Sequence, residues 1–181
     1  MNASLARCVG FAAVVLLAKL GANVLQQEAP KAPERAAELL WLDQLAGEYD
    51  ADVEFMGKTT PGSYVSKMGC GGYWLIDDFK GEVMGQPYLG HGMTGYDPIK
   101  KKIVAVWGDS SPTPLTTMEG ALSADKKSMV LDGLGIDMEG KPAKSRHVMT
   151  VVDKKTLKYT IAMVGADGKE TQTLAITYKR K

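Results

Sequence analysis

From Glu48 to Lys179 apolar and polar side chains alternate with a period of two, in ten short runs broken by turn residues. In Glu48–Phe55 (EYDADVEF), Tyr49, Ala51, Val53 and Phe55 fall on one face and Glu48, Asp50, Asp52 and Glu54 on the other. That is the pattern of an antiparallel strand with one face buried and one wet. The other nine runs are Ser63–Met68, Tyr73–Lys80, Tyr88–Tyr96, Lys102–Asp109, Leu115–Leu122, Ser128–Leu134, Lys144–Val152, Leu157–Val164 and Thr171–Lys179. Asp97-Pro98, Ala124-Asp125-Lys126, Glu139-Gly140-Lys141 and Ala166-Asp167-Gly168-Lys169 supply turns between them. Ten strands at this spacing make a sandwich or a barrel, and closure removes edge strands most completely, so the expected fold is an all-β, antiparallel, roughly ten-stranded barrel. It occupies residues 34–181 as one domain, with no internal repeat.

One segment has helical periodicity. In Glu34–Ala46 the apolar residues Leu39, Leu42 and Ala46 recur at helix spacing, Pro33 suits a first turn and Gly47 a C-terminal stop. This single N-terminal helix is expected to cap or flank one end of the barrel. Residues 23–33 (NVLQQEAPKAP) read as a flexible linker.

Before that linker, Arg7 is followed by the uncharged run Val9–Ala18, too short to span a bilayer and of the length of a signal-peptide core. Residues 1–22 are therefore expected to be a signal peptide cleaved after Ala22, which makes the protein exported, periplasmic or extracellular. Cys8 leaves with it, and Cys70 is then a single reduced thiol, expected partly buried at a hairpin. Loss of Arg7 and Lys19 leaves a net charge of −1 with both signs scattered along the chain. No basic stripe for nucleic acid and no polybasic membrane patch is present.

Motifs that look chemical are mostly explained by the strands. Gly90-His91-Gly92-Met93-Thr94-Gly95 fits G-x-G-x-x-G, but another strand follows it instead of the helix a dinucleotide fold requires, so the glycines are read as letting a barrel strand bend. His91, His147 and Cys70 have no metal-ligand spacing, and no metal or cofactor is expected; haem ligated by His91 or His147 from inside the barrel is a secondary reading. Asp77 and Asp78, being adjacent on a strand, point to opposite faces. Ile103, Ala105, Trp107 and Asp109 share one face, and an interior Asp109 needs a partner, for which Arg146 is the candidate. Nine methionines beyond Met1, spread over most strands, suit either core packing or an adaptable apolar lining.

The stretch Gly81–Asp97 (GEVMGQPYLGHGMTGYD) resembles the signature of the bacterial family known as domain of unknown function 1579, G-x-x-x-G-x-P-aromatic-x-G-x-G-x-x-G-Y-D. Leu45-Ala46-Gly47-Glu48-Tyr49, Lys102–Trp107 with Asp109, and Gly165–Glu170 through Ile176-Thr177-Tyr178 agree in order, so the resemblance spans about Glu34 to Lys181. It implies a calycin-like, lipocalin-like β-barrel and carries no activity with it. Tyr49 stands where the family commonly has tryptophan, and Ser111-Pro112-Thr113-Pro114 replaces a segment that usually contains glycine.

A barrel of this size can hold one small molecule, so the expected function is binding of a small, largely apolar ligand by Trp74, Tyr96, Trp107, Asp109 and Arg146. An enzyme using Asp109 or Glu82 as general base, and a non-catalytic structural or partner-binding module with a filled interior, are the alternatives.

Overall fold

The structure, a computed structural model, describes residues 34–137 and 139–181; the expected signal segment and linker lie outside them. Each alternating run is a strand: β1 Gly47–Phe55, β2 Lys58–Gly69, β3 Trp74–Val83, β4 Gln86–Asp97, β5 Lys102–Asp109, β6 Thr116–Leu122, β7 Ser128–Ile136, β8 Pro142–Val151, β9 Thr156–Val164 and β10 Glu170–Arg180. Each pairs antiparallel with its sequence neighbours, and β1 closes on β10 from Tyr49↔Arg180 to Phe55↔Leu174, making one closed ten-stranded barrel. Inner positions such as Tyr49, Ala51 and Val53 are buried while Glu48, Asp50 and Asp52 are exposed, as the alternation requires. The hairpins Met56-Gly57 and Met84-Gly85 place both central residues at positive φ, the geometry that matches the twist of two-residue hairpins.

The N-terminal helix is shorter than its sequence period suggests. Helix α1 covers only Ala37–Leu42 and tightens into a 3-10 turn, Asp43–Leu45; Ala46 is already extended and Gly47 opens β1. The chain must turn there so that Leu42 and Leu45 enter the barrel while β1 starts beside β10. Gly47 is therefore not a helix stop. A Cβ there would lie 2.2 Å from Arg180 Nη1, and that guanidinium donates to the Ala46 and Gln44 carbonyls at 2.6 and 2.9 Å. It thereby satisfies carbonyls that the helix end leaves without partners.

The short helix is a plug. Leu39, Trp41, Leu42 and Leu45 are buried against Tyr49, Leu75, Ile103 and Leu157 at the end of the barrel where β1 begins. Trp41 Nε1 donates to the Lys126 carbonyl in the β6–β7 turn at 2.8 Å, and the Tyr49 hydroxyl to the Leu45 carbonyl at 2.9 Å. These bonds tie the plug to the wall.

Candidate functional site

Above the plug the interior is not filled: a cavity of about 370 Å³ remains, floored by Leu45 and walled mainly by apolar side chains. It reaches the opposite end, where exposed Ser111 in the β5–β6 connection contributes to the lining. Met118, Met129 and Met149 supply flexible apolar wall on three successive hairpin strands, which is one of the two uses the scattered methionines admit.

Trp107 is the largest side chain in the upper wall, and the glycines of the central motif explain how it fits. A Cβ on Gly90 would lie 2.0 Å from Trp107 Cζ2, and one on Gly92 would lie 2.8 Å from Cε3. The indole thus rests flat on β4 over two glycines facing inward. Gly95 does the same on the outer surface for Trp74, whose Cε3 would be 2.6 Å from an added Cβ. Clearance for two indoles, more than strand bending, is what these glycines provide.

Polar groups interrupt the apolar wall at three places. At the mouth, Trp107 Nε1 donates to the Tyr88 hydroxyl at 3.2 Å, and that hydroxyl donates to Asp109 Oδ2 at 2.9 Å; the Ser111 amide donates to Asp109 Oδ1 at 2.8 Å. Burial pushes the Tyr88 hydroxyl far above its ordinary value. Deeper, the Tyr64 and Ser66 hydroxyls both donate to Asp77 Oδ1, at 2.6 and 2.7 Å. Desolvation holds the Asp77 carboxyl above the usual carboxylate range, against the downward pull of those two bonds. On the far wall, His147 Nδ1 lies 2.6 Å from the Tyr159 hydroxyl and Nε2 lies 2.7 Å from Ser145 Oγ.

His147 is buried and its pKa is lowered to about 4, chiefly by desolvation. Neutral imidazole suits this position, since one nitrogen donates, the other accepts, and either hydroxyl can complement it. The unfolded imidazole takes a proton near 6.5 and the folded one only near 4, so between those values the unfolded state binds more protons. Stability therefore falls as pH drops from about 6.5 to about 4. Urea unfolding across this range is expected to show a flatter slope for His147→Gln; an unchanged slope would mean that His147 does not carry the loss.

Of the five residues expected at the site, the structure brings Trp107 and Asp109 to the cavity. Tyr96 faces inward opposite Ile103 but packs at the plugged end, off the cavity wall. Trp74 is on the outer face. So is Arg146, which alternates with inward Ser145 and His147 and pairs with Asp132 at 2.9 Å and Glu170 at 2.6 Å. The expected Asp109–Arg146 pair is not formed, because Arg146 finds these carboxylates across the outer surface and Tyr88 meets Asp109 within. Glu82 and His91 are also outside, His91 with its Nδ1 2.8 Å from Asp78. Cys70 forms no disulfide among the described residues and is exposed in the β2–β3 turn instead of partly buried, at a φ of 49°. Asp77, Tyr64, Tyr178 and His147 are cavity residues that the expected site lacks. Asp77 was within reach of the same pattern, since it alternates inward with Leu75 and Phe79.

Over residues 34–180 the chain matches the family described as protein of unknown function (DUF1579), and it belongs to that family. Among solved structures it is similar to Rv2717c from M. tuberculosis, at 14% identity and a TM-score of 0.56 over 82% of this chain and 99% of that one. It is also similar to the S-type phycobiliprotein lyase CPES from Guillardia theta, at 7% identity and a TM-score of 0.51, covering 81% and 94%. Identities this low show a shared fold. No curated protein matches the sequence.

Proposed function

We propose that the protein is an exported binding protein whose barrel takes up one small, largely apolar molecule. Export rests on the order of charge and apolar residues in 1–22; binding rests on the cavity. The observation that carries it is an apolar space of about 370 Å³ kept open above a plug that closes the other end. Small-molecule sites are concave, mostly apolar, begin near 300 Å³ and place a few polar groups among hydrophobic walls. A structural module with a filled interior would not retain that space. The general-base alternative finds its named residues badly placed, with Glu82 outside and both Asp109 oxygens already accepting hydrogen bonds.

Titration with the neutral fluorophore N-phenyl-1-naphthylamine tests the reading. Saturable binding at one molecule per chain, with quenching of Trp107 emission that disappears in Trp107→Phe, is the expected result. Native mass spectrometry of protein from its own host is expected to show a bound small molecule. The absence of both saturable probe binding and a bound molecule would overturn it.

A further inference from the structure

The cavity's charges and unspent hydrogen-bonding atoms say more about the ligand than its volume does. Its lining contains Asp77 and Asp109, the neutral imidazole of His147, and no lysine or arginine. A fatty acid or other carboxylate would enter a space lined by two carboxyl groups and a neutral imidazole, with no cation to receive it. Deep in the wall, Asp77 is 93% buried, and both its protein partners bond Oδ1. Oδ2, the Tyr178 hydroxyl and the Thr94 hydroxyl make no hydrogen bond among the described residues, yet none is sealed away from the open space they line. Tyr178 and Thr94 are themselves 4% and 6% exposed. Three unpartnered polar atoms on side chains at least nine-tenths buried thus face one void.

Oδ1 already accepts from two hydroxyls, and an ionised Asp77 can only accept at Oδ2, so the partner that keeps it ionised is a donor. A buried carboxylate without a counter-charge is costly, and a cation beside it offsets that cost. The surroundings suit a cation further: the Tyr64 ring, whose hydroxyl bonds Asp77, packs against the Tyr178 ring with centroids 4.6 Å apart and planes tilted by 31°, and aromatic faces attract ammonium groups. From this polar end toward the mouth, Phe79, Val83, Phe55, Leu174 and Ile161 provide apolar wall for a hydrocarbon part.

We infer that the ligand is a lipophilic amine, with its ammonium group at Asp77 Oδ2 beside Tyr178 and Thr94 and its hydrocarbon part running toward the mouth. This rests on the apolar-ligand reading and names the ligand's chemical class. The interaction is an ion pair with hydrogen bonds and involves no covalent step.

Calorimetric titration of the protein with octylamine, 1-octanol and octanoate, equal in chain length and different in head group, tests it. Octylamine is expected to bind at least about tenfold more tightly than 1-octanol, an advantage of about 1.4 kcal/mol, and octanoate more weakly than either. Asp77→Asn is expected to remove the advantage of octylamine over 1-octanol, whereas Asp109→Asn at the mouth retains most of it. Should Asp77→Asn fail to fold, the ranking of the three probes on the unaltered protein still decides. If 1-octanol or octanoate equals octylamine, or if Asp109→Asn and not Asp77→Asn abolishes the preference, the inference falls while the apolar-ligand reading stands. If none of the three binds while N-phenyl-1-naphthylamine does, the inference alone falls; if that probe and a bound molecule are absent as well, both fall.

Discussion

Gly90→Val is expected to cost about 3 kcal/mol of folding stability, at the upper end of what overpacking a tight interior usually costs. The backbone is not the reason, because Gly90 does not have the positive φ that would exclude a side chain. The obstacle is the Trp107 indole, which passes 2.0 Å (Cζ2) and 2.8 Å (Cε2 and Cη2) from where the new Cβ would stand. A valine must push that ring into the cavity, breaking its bond to Tyr88 and, through Tyr88, loosening Asp109. Trp107→Leu alone also destabilises by leaving a gap, but in the Gly90→Val background it removes the collision. Urea unfolding of the two single variants and the double variant is therefore expected to show strong non-additivity, with the double variant more stable than the sum of the single losses allows. Additive losses, or a Gly90→Val cost below about 1 kcal/mol, would mean that the indole does not depend on the glycine.

This contact shows where the sequence is readable and where it is not. The ten strands could be located because alternation is a local property: Tyr49, Ala51 and Val53 need only their neighbours to be assigned inward. The glycines in the central motif could be seen, but their partners could not. Trp107 lies 17 residues after Gly90, and their contact exists only once β4 and β5 are paired in register. The helix was legible from Leu39 and Leu42, but its end is set by where β1 must join β10, so its length was not. Arg146 is the reverse case. Charge balance made it attractive as a partner for Asp109, while its alternation with Ser145, His147 and Met149 places it outside, and the local pattern prevailed. Asp77 shows the same rule from the other side. A carboxyl is ordinarily assigned to solvent, but its position between Leu75 and Phe79 outweighs that preference once Tyr64 and Ser66 on β2 are present to satisfy it.

The plug makes the second large effect. Leu42, the last residue of α1, is 0% exposed, and Tyr49, Ile103 and Leu157, in the same buried cluster, belong to strands paired on both sides. Truncating a buried leucine costs about 2–5 kcal/mol, least where the surroundings can collapse into the gap and most where they cannot. A closed barrel leaves its end walls little freedom to move inward, so Leu42→Ala is expected to cost about 3–4 kcal/mol, and Leu40→Ala, exposed on the same helix, less than about 0.5 kcal/mol. The loss has a local signature as well. The plug is held to the β6–β7 turn through Trp41 Nε1, and a helix that no longer fills the barrel end exposes this indole. Urea unfolding followed by Trp41 emission, with Trp74 and Trp107 replaced by phenylalanine in both the reference protein and the variant, checks the two expectations together. A Leu42→Ala loss under about 1.5 kcal/mol, with Trp41 emission unshifted in the native state, would mean that the barrel end closes without the helix.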